Sequence, residues 1–169
     1  MDLKKVISAS SISIGAGLLL VLLTVILLLF PLLLPDSLQE IMSIVNLAFF
    51  ILKIPIFFGL FFWTGFRAVK KFGFDAVGAG GVAAFAYFVC ALVELFVNFI
   101  LSLLVSVNIL GPVAFKSMET TIAATVFSST AGPTGILFSL LCGIGIMVIG
   151  VLLNFAVGAV GALIGGGSR

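Results

Sequence analysis

The sequence predicts an all-α membrane protein with four transmembrane helices, and three observations carry that reading. Of 169 residues, 63% are hydrophobic and only 8% are charged, where soluble domains carry roughly 25%. The mean hydropathy of +1.47 is more apolar character than so short a chain can hide inside itself, so lipid must cover part of it. Four apolar stretches also reach the roughly 20 helical residues that crossing a bilayer requires. They lie at about 12–34, 41–66, 76–107 and 135–164, and together make a single integral membrane domain over 1–169.

The first stretch follows Lys4 and Lys5 and superficially resembles a secretory signal. Its apolar core exceeds the roughly 7–15 residues of such a signal, and no small-residue cleavage site follows, so an uncleaved span is expected. In the second, Pro55 removes an amide donor from the turn of Ile51, and a kink is expected there. Trp63 lies near the basic end of the same stretch, where indole rings anchor helices at the interface. The third stretch, at ~1.5 Å per residue, is longer than the hydrocarbon layer and must tilt, bend or project.

Between the third and fourth spans, Gly111-Pro112 and Gly132-Pro133 bracket a segment in which Phe115, Met118, Ile122 and Val126 recur at helical spacing. A short interfacial helix in the outer loop, begun by Pro112, is the reading; a re-entrant segment is the sharper alternative.

Charge then orients the spans. Lys4, Lys5, Arg67, Lys70, Lys71 and Arg169 fall on one side, and Lys116 alone on the other, with Asp36, Glu40 and Glu119. Basic residues collect in the cytoplasm, which places both termini there and makes this a multi-pass protein of the cell membrane.

Composition excludes much chemistry. There is no histidine, hence no imidazole metal ligand and no Ser-His dyad. Cys90 and Cys142 lie far apart in apolar spans, without metal-ligand spacing. No metal, cofactor or nucleic-acid partner is expected, because the basic residues form short clusters beside spans rather than a continuous patch. Gly78-Ala79-Gly80-Gly81-Val82-Ala83 matches a dinucleotide fingerprint by spelling. That motif has meaning only between a strand and a helix, so close helix packing is the better account. A Ser–Lys pairing of Lys53 with Ser102 or Ser139 has no local motif behind it, and no enzymatic activity is expected.

What chemistry remains is inside the membrane. Glu94 has no charged neighbour between Asp75 and Lys116, and Lys53 is the one other ionisable residue centred in a span. Such groups pair, face water or mark a pathway. Counting from the basic ends of the spans, Lys53 lies ~20 Å deep and Glu94 ~27 Å, an offset their side chains can bridge. Asn154 and Tyr87 both fall at ~15–16 Å on the same count. A polar layer is expected in which Lys53 meets Glu94 and Asn154 meets Tyr87, with Asn98 one turn beyond Glu94.

At ~100° per residue, Ala76, Gly80, Ala83, Tyr87, Ala91, Glu94, Asn98 and Ser102 share one arc of the third span. Ser139, Gly143, Met147, Gly150, Asn154, Gly158, Gly161 and Gly165 share one arc of the fourth. Small residues let helix backbones approach, so these two faces are expected to pack on each other.

Two functions fit. One is an accessory, assembly or scaffold subunit acting through helix–helix contacts, in a homo-oligomer or with another membrane protein. The other is a small oligomeric transporter or channel using Glu94 as a protonatable site.

Overall fold

The structure, a computed structural model, describes residues 3–30, 34–106 and 133–166. Among the described residues are four long α-helices: α1 (Leu3–Leu29), α2 (Asp36–Phe72), α3 (Ala76–Ser106) and α4 (Pro133–Gly166). All four are long and apolar enough to cross a membrane. No more than 22% of any span is buried by protein, so the rest of each apolar surface needs lipid as its solvent. These four helices are compatible with a multi-pass membrane protein.

Both boundaries of the first helix differ from the expected span. The first helix begins at Leu3 rather than near Ile12, taking in Lys4, Lys5 and a serine-rich turn. Two of its hydroxyls bond within the helix: Ser10 donates to the carbonyl of Val6 at 2.8 Å and Ser11 to that of Ser8 at 3.0 Å. Bonded in this way, a polar turn can enter an apolar bundle. The same helix ends at Leu29, with a 3-10 turn at Phe30 rather than a helix to Leu34. Pro31 follows, and its ring disfavours helical backbone in the residue before it.

The second helix is longer than expected at both ends. It starts at Asp36, where the amide of Leu38 donates to the Pro35 carbonyl at 2.9 Å, and it runs through Pro55 to Phe72. At 37 residues it is ~56 Å long, so its ends extend beyond a hydrocarbon layer of ~30 Å. The third and fourth helices agree with the expected spans to within two residues. The expected interfacial helix, from Pro112 through Val126, lies outside the described residues, as do the side chains of Ser102 and Ser139.

A three-residue turn reverses the chain between α2 and α3. Gly73 closes α2 with φ +70°, and its amide and that of Phe74 return to the carbonyls of Val69 and Ala68. This left-handed cap suits glycine, which has no Cβ to clash. Asp75 then opens α3, its carboxylate accepting the amide of Gly78 at 3.0 Å. Here the carboxylate fills the N-cap position and satisfies an otherwise unpaired amide.

Helices α2 and α3 are neighbours, with α1 in one groove between them and α4 in the other; α3 and α4 share the most extensive contact. Packing is uneven along the membrane normal. Near the end that carries Lys4, Lys5 and Arg67, the core comprises Val6, Ala9, Ala68, Ala79, Val82 and Ala162, walled by Phe72, Phe74 and Phe85. A second cluster follows, of Phe61, Ala83 and Ala86 against Ile14, Phe57 and Tyr87. Beyond it, toward the other end, the buried side chains among the described residues thin out to Val21, Lys53, Cys90 and Leu101. Among the described residues, then, one half of the bundle is closely packed, the closed half, and the other, the open half, holds few buried side chains.

The closed half is built on small residues. A Cβ added to Gly65 of α2 would stand 2.8 Å from the Cα of Gly158 in α4, so the two backbones touch there. On Gly80 of α3 it would stand 2.8 Å from the carbonyl oxygen of Phe155. Gly143, Gly150 and Gly158 meet Leu95, Tyr87 and Ala83 of α3 in antiparallel order. By contrast, Gly161 and Gly165 face Phe62 and Phe66 of α2. The glycine arc of α4 therefore serves two neighbours rather than α3 alone, because α4 lies in the groove between them.

Candidate functional site

Lys53 and Glu94 occupy the boundary between the closed and open halves. Lys53 stands 19 residues from the end of α2 and Glu94 18 residues from the start of α3. At 1.5 Å per residue both are ~27–28 Å from the tight turn that joins these helices. The offset expected from the sequence vanishes because α2 continues six residues past Phe66. At equal depth, the Lys53 ammonium donates a hydrogen bond to Oε1 of Glu94, and the two form an ion pair.

The partners are unequally covered. The Lys53 side chain is 10% exposed and that of Glu94 35%. Lys53 is also held over the ring of Phe57, with its ammonium 5.5 Å from the centroid. The ring face is electron-rich and adds to the attraction of a poorly solvated cation. On α3, Asn98 follows Glu94 one helical turn on and is exposed. Asn46, two turns beyond Lys53 on α2, has a buried side-chain amide nitrogen that finds no acceptor among the described residues.

Beneath the pair the bundle is plugged. Phe57 and Phe61 have ring centroids 5.6 Å apart, and Phe61 meets Tyr87 edge-on at 5.6 Å. Phe61 is fully buried. Spacing of four places Lys53, Phe57 and Phe61 on one stripe of α2, so the charge and its floor are a single local feature. Below that, Ser13 of α1 bonds to the hydroxyl of Thr64 of α2, which donates to the carbonyl of Leu60 at 2.7 Å. Because Thr64 gives its own proton to Leu60, Ser13 is the donor between the helices.

The second expected contact is not formed. Asn154 donates from Nδ2 to the carbonyl of Gly150 in its own helix at 2.8 Å, and its Oδ1 is buried without a partner among the described residues. Tyr87 lies instead against Gly150, with its ring on Phe61. The depths agree, as counted, but a carboxamide in a helix can reach its own carbonyl four residues back without ordering a second helix. Of the expected polar layer, the structure joins Lys53 to Glu94 and leaves Asn154, Tyr87 and Asn98 in separate contacts.

Sequence reasoning passed over Ser13 and Arg67. Ser13 carries no signal beyond its place in a serine-rich turn. Arg67 appears in the charge count alone, yet its guanidinium is packed between Trp63 and Phe72.

No known protein family, curated protein or solved structure matches this chain. Its reading therefore rests on its own chemistry.

The Ser13–Thr64 bond yields a modest expectation. Ser13→Ala should lower stability in detergent by ~0.6 kcal/mol, the average for interhelical hydrogen bonds within membranes. Thr64→Val should cost no less, since it removes both bonds. Chemical denaturation of the two variants would measure this, and a loss from Ser13→Ala several times larger would show that the contact sets the helix register.

Proposed function

We propose that this protein is an accessory or assembly subunit of the cell membrane that acts through helix–helix contacts, with both termini in the cytoplasm. The carrying observation is Glu94, a carboxylate at mid-membrane depth whose side chain is 35% exposed at the floor of the open half. A charged group in hydrocarbon is costly unless a partner or water completes its solvation. Lys53 supplies one partner, at Oε1, and part of the side chain stays uncovered for another. The unaccepted amide of Asn46 on the same side supports a polar contact there as well.

The glycines of α4 that meet α2 and α3 are used inside the bundle. The reading therefore moves to the open half, where Leu92 and Phe96 of α3 are exposed beside Glu94. A photoreactive residue at Phe96 should give discrete protein adducts in native membranes. At Leu163, exposed on the closed half, the same probe should label lipid. Protein adducts at neither position, or equally at both, would remove the assignment.

The second reading is a small oligomeric transporter or channel in which Glu94 takes up and releases a proton. Its support is the same uncovered carboxylate above an aromatic plug, the arrangement of a site accessible from one side. Flux in proteoliposomes that falls in Glu94→Gln would favour it over the accessory role.

A further inference from the structure

Five basic residues gather at one end of the bundle. Val6 and Ala9 of α1 pack with Ala68, Val69 and Phe72 of α2, which brings Lys4 and Lys5 to the end that carries Arg67, Lys70 and Lys71. Like charges so placed repel unless anions lie among them. No described carboxylate forms an ion pair with Arg67, Lys70 or Lys71. Asp75, the nearest acid in sequence, is engaged in capping α3.

Arg67 is the most constrained member. Its guanidinium lies 5.4 Å from the Trp63 ring centroid and 5.8 Å from that of Phe72. Nη1 is buried and has no acceptor among the described residues. Buried guanidinium donors are ordinarily paired, because desolvation without a hydrogen bond is costly. One turn on, the Lys70 ammonium stands 4.7 Å from the centroid of Phe66, and Lys70 and Lys71 are both exposed. Aromatic rings thus lie against the charged groups of Arg67 and Lys70 near the end of α2.

We infer that Arg67, Lys70 and Lys71 form a binding site for the phosphate of an anionic membrane lipid. A phosphate accepts several charge-assisted hydrogen bonds at once and suits a guanidinium fork. The acyl chains would lie along the exposed aliphatic surface of the neighbouring span, where Val160, Leu163 and Ile164 of α4 are open. A lipid is favoured over an acidic protein segment because the rings of Trp63 and Phe66 place the cations at headgroup level.

Trp63 is the single tryptophan of the chain, and it touches the site, so it reports occupancy directly. Purified protein in vesicles of phosphatidylcholine would be doped with brominated phosphatidylglycerol or, separately, brominated phosphatidylcholine, and quenching of Trp63 compared. Brominated phosphatidylglycerol should quench with an apparent preference of about fivefold, the effect of one basic residue near an anionic surface. Arg67→Gln should bring that preference close to one, and Arg67→Lys should retain part of it. Should Arg67→Gln fail to fold, Lys70→Gln with Lys71→Gln, both at exposed positions, should lower the preference while leaving helicity unchanged. Equal quenching by the two lipids in the wild type would overturn the site. Loss of the preference on adding inorganic phosphate or an acidic peptide, with the lipid composition unchanged, would reassign it to a soluble anion or a protein segment.

Discussion

Glu94→Leu is expected to destabilise the bundle by about 3–5 kcal/mol, the cost of leaving one member of a buried ion pair alone. The deserted group would be the Lys53 ammonium, whose side chain is 10% exposed and which lies over the ring of Phe57. Lys53→Met deserts the less covered member, and in detergent the open half gives the Glu94 carboxylate access to water. Its loss should be smaller, about 1–2 kcal/mol once the pair is discounted for exposure. The double variant should recover most of the stability, since exchanging a buried pair for apolar side chains is often neutral. Exchanging the two residues should do likewise. Unfolding by a denaturing detergent, followed by circular dichroism, would rank the variants. Equal losses in the two single variants would mean that Glu94 meets lipid, and strictly additive losses would mean that the two groups do not depend on each other.

The other large effect concerns a glycine. Gly65→Leu should prevent α2 from seating on α4, with a loss above ~3 kcal/mol. A Cβ at Gly65 would run into the carbonyl and Cα of Gly158, and backbone atoms cannot rotate out of the way. Gly59 is a control within the same helix. A Cβ there meets nothing within 4 Å, so Gly59→Ala should be neutral or stabilising by up to about 1 kcal/mol through helix propensity. Gly143→Ala should also be mild, because its new atom would meet the movable end of the Leu95 side chain. Thermal unfolding of the three variants would separate them. A Gly65 variant as stable as the Gly59 variant would contradict the close approach of α2 and α4.

How far the site was legible depended on the kind of information each residue needed. Glu94 and Lys53 stand out by charge in apolar runs, a property visible one residue at a time. Their pairing needed only depth along two helices joined by a short turn, and counting supplied it approximately. The count erred by placing the end of α2 at Phe66, because Arg67, Lys70 and Lys71 look like a loop when they form its last turns. Asn154 was assigned to Tyr87 by the same count. Depth could not decide between a bond across helices and one to the carbonyl of Gly150, since both satisfy the amide.

The glycines show where one-dimensional reasoning ends. Their arc on α4 follows from helical periodicity, and so does the inference that helices approach there. Periodicity does not say how many neighbours the arc meets. Gly143 and Gly150 face α3, while Gly161 and Gly165 face α2, because α4 lies in the groove between the two.

The sequence by itself determined the membrane class, the four helices and the two intramembrane charges, because hydrophobicity and charge accumulate locally along a chain. Only the tertiary structure decided that α1 and α4 lie on opposite sides of α2 and α3, that one half closes on glycine and alanine, and that Glu94 stands at the edge of the open half. Those outcomes depend on which small residues of separate helices coincide in space, and steric fit between distant segments is not written in either segment alone.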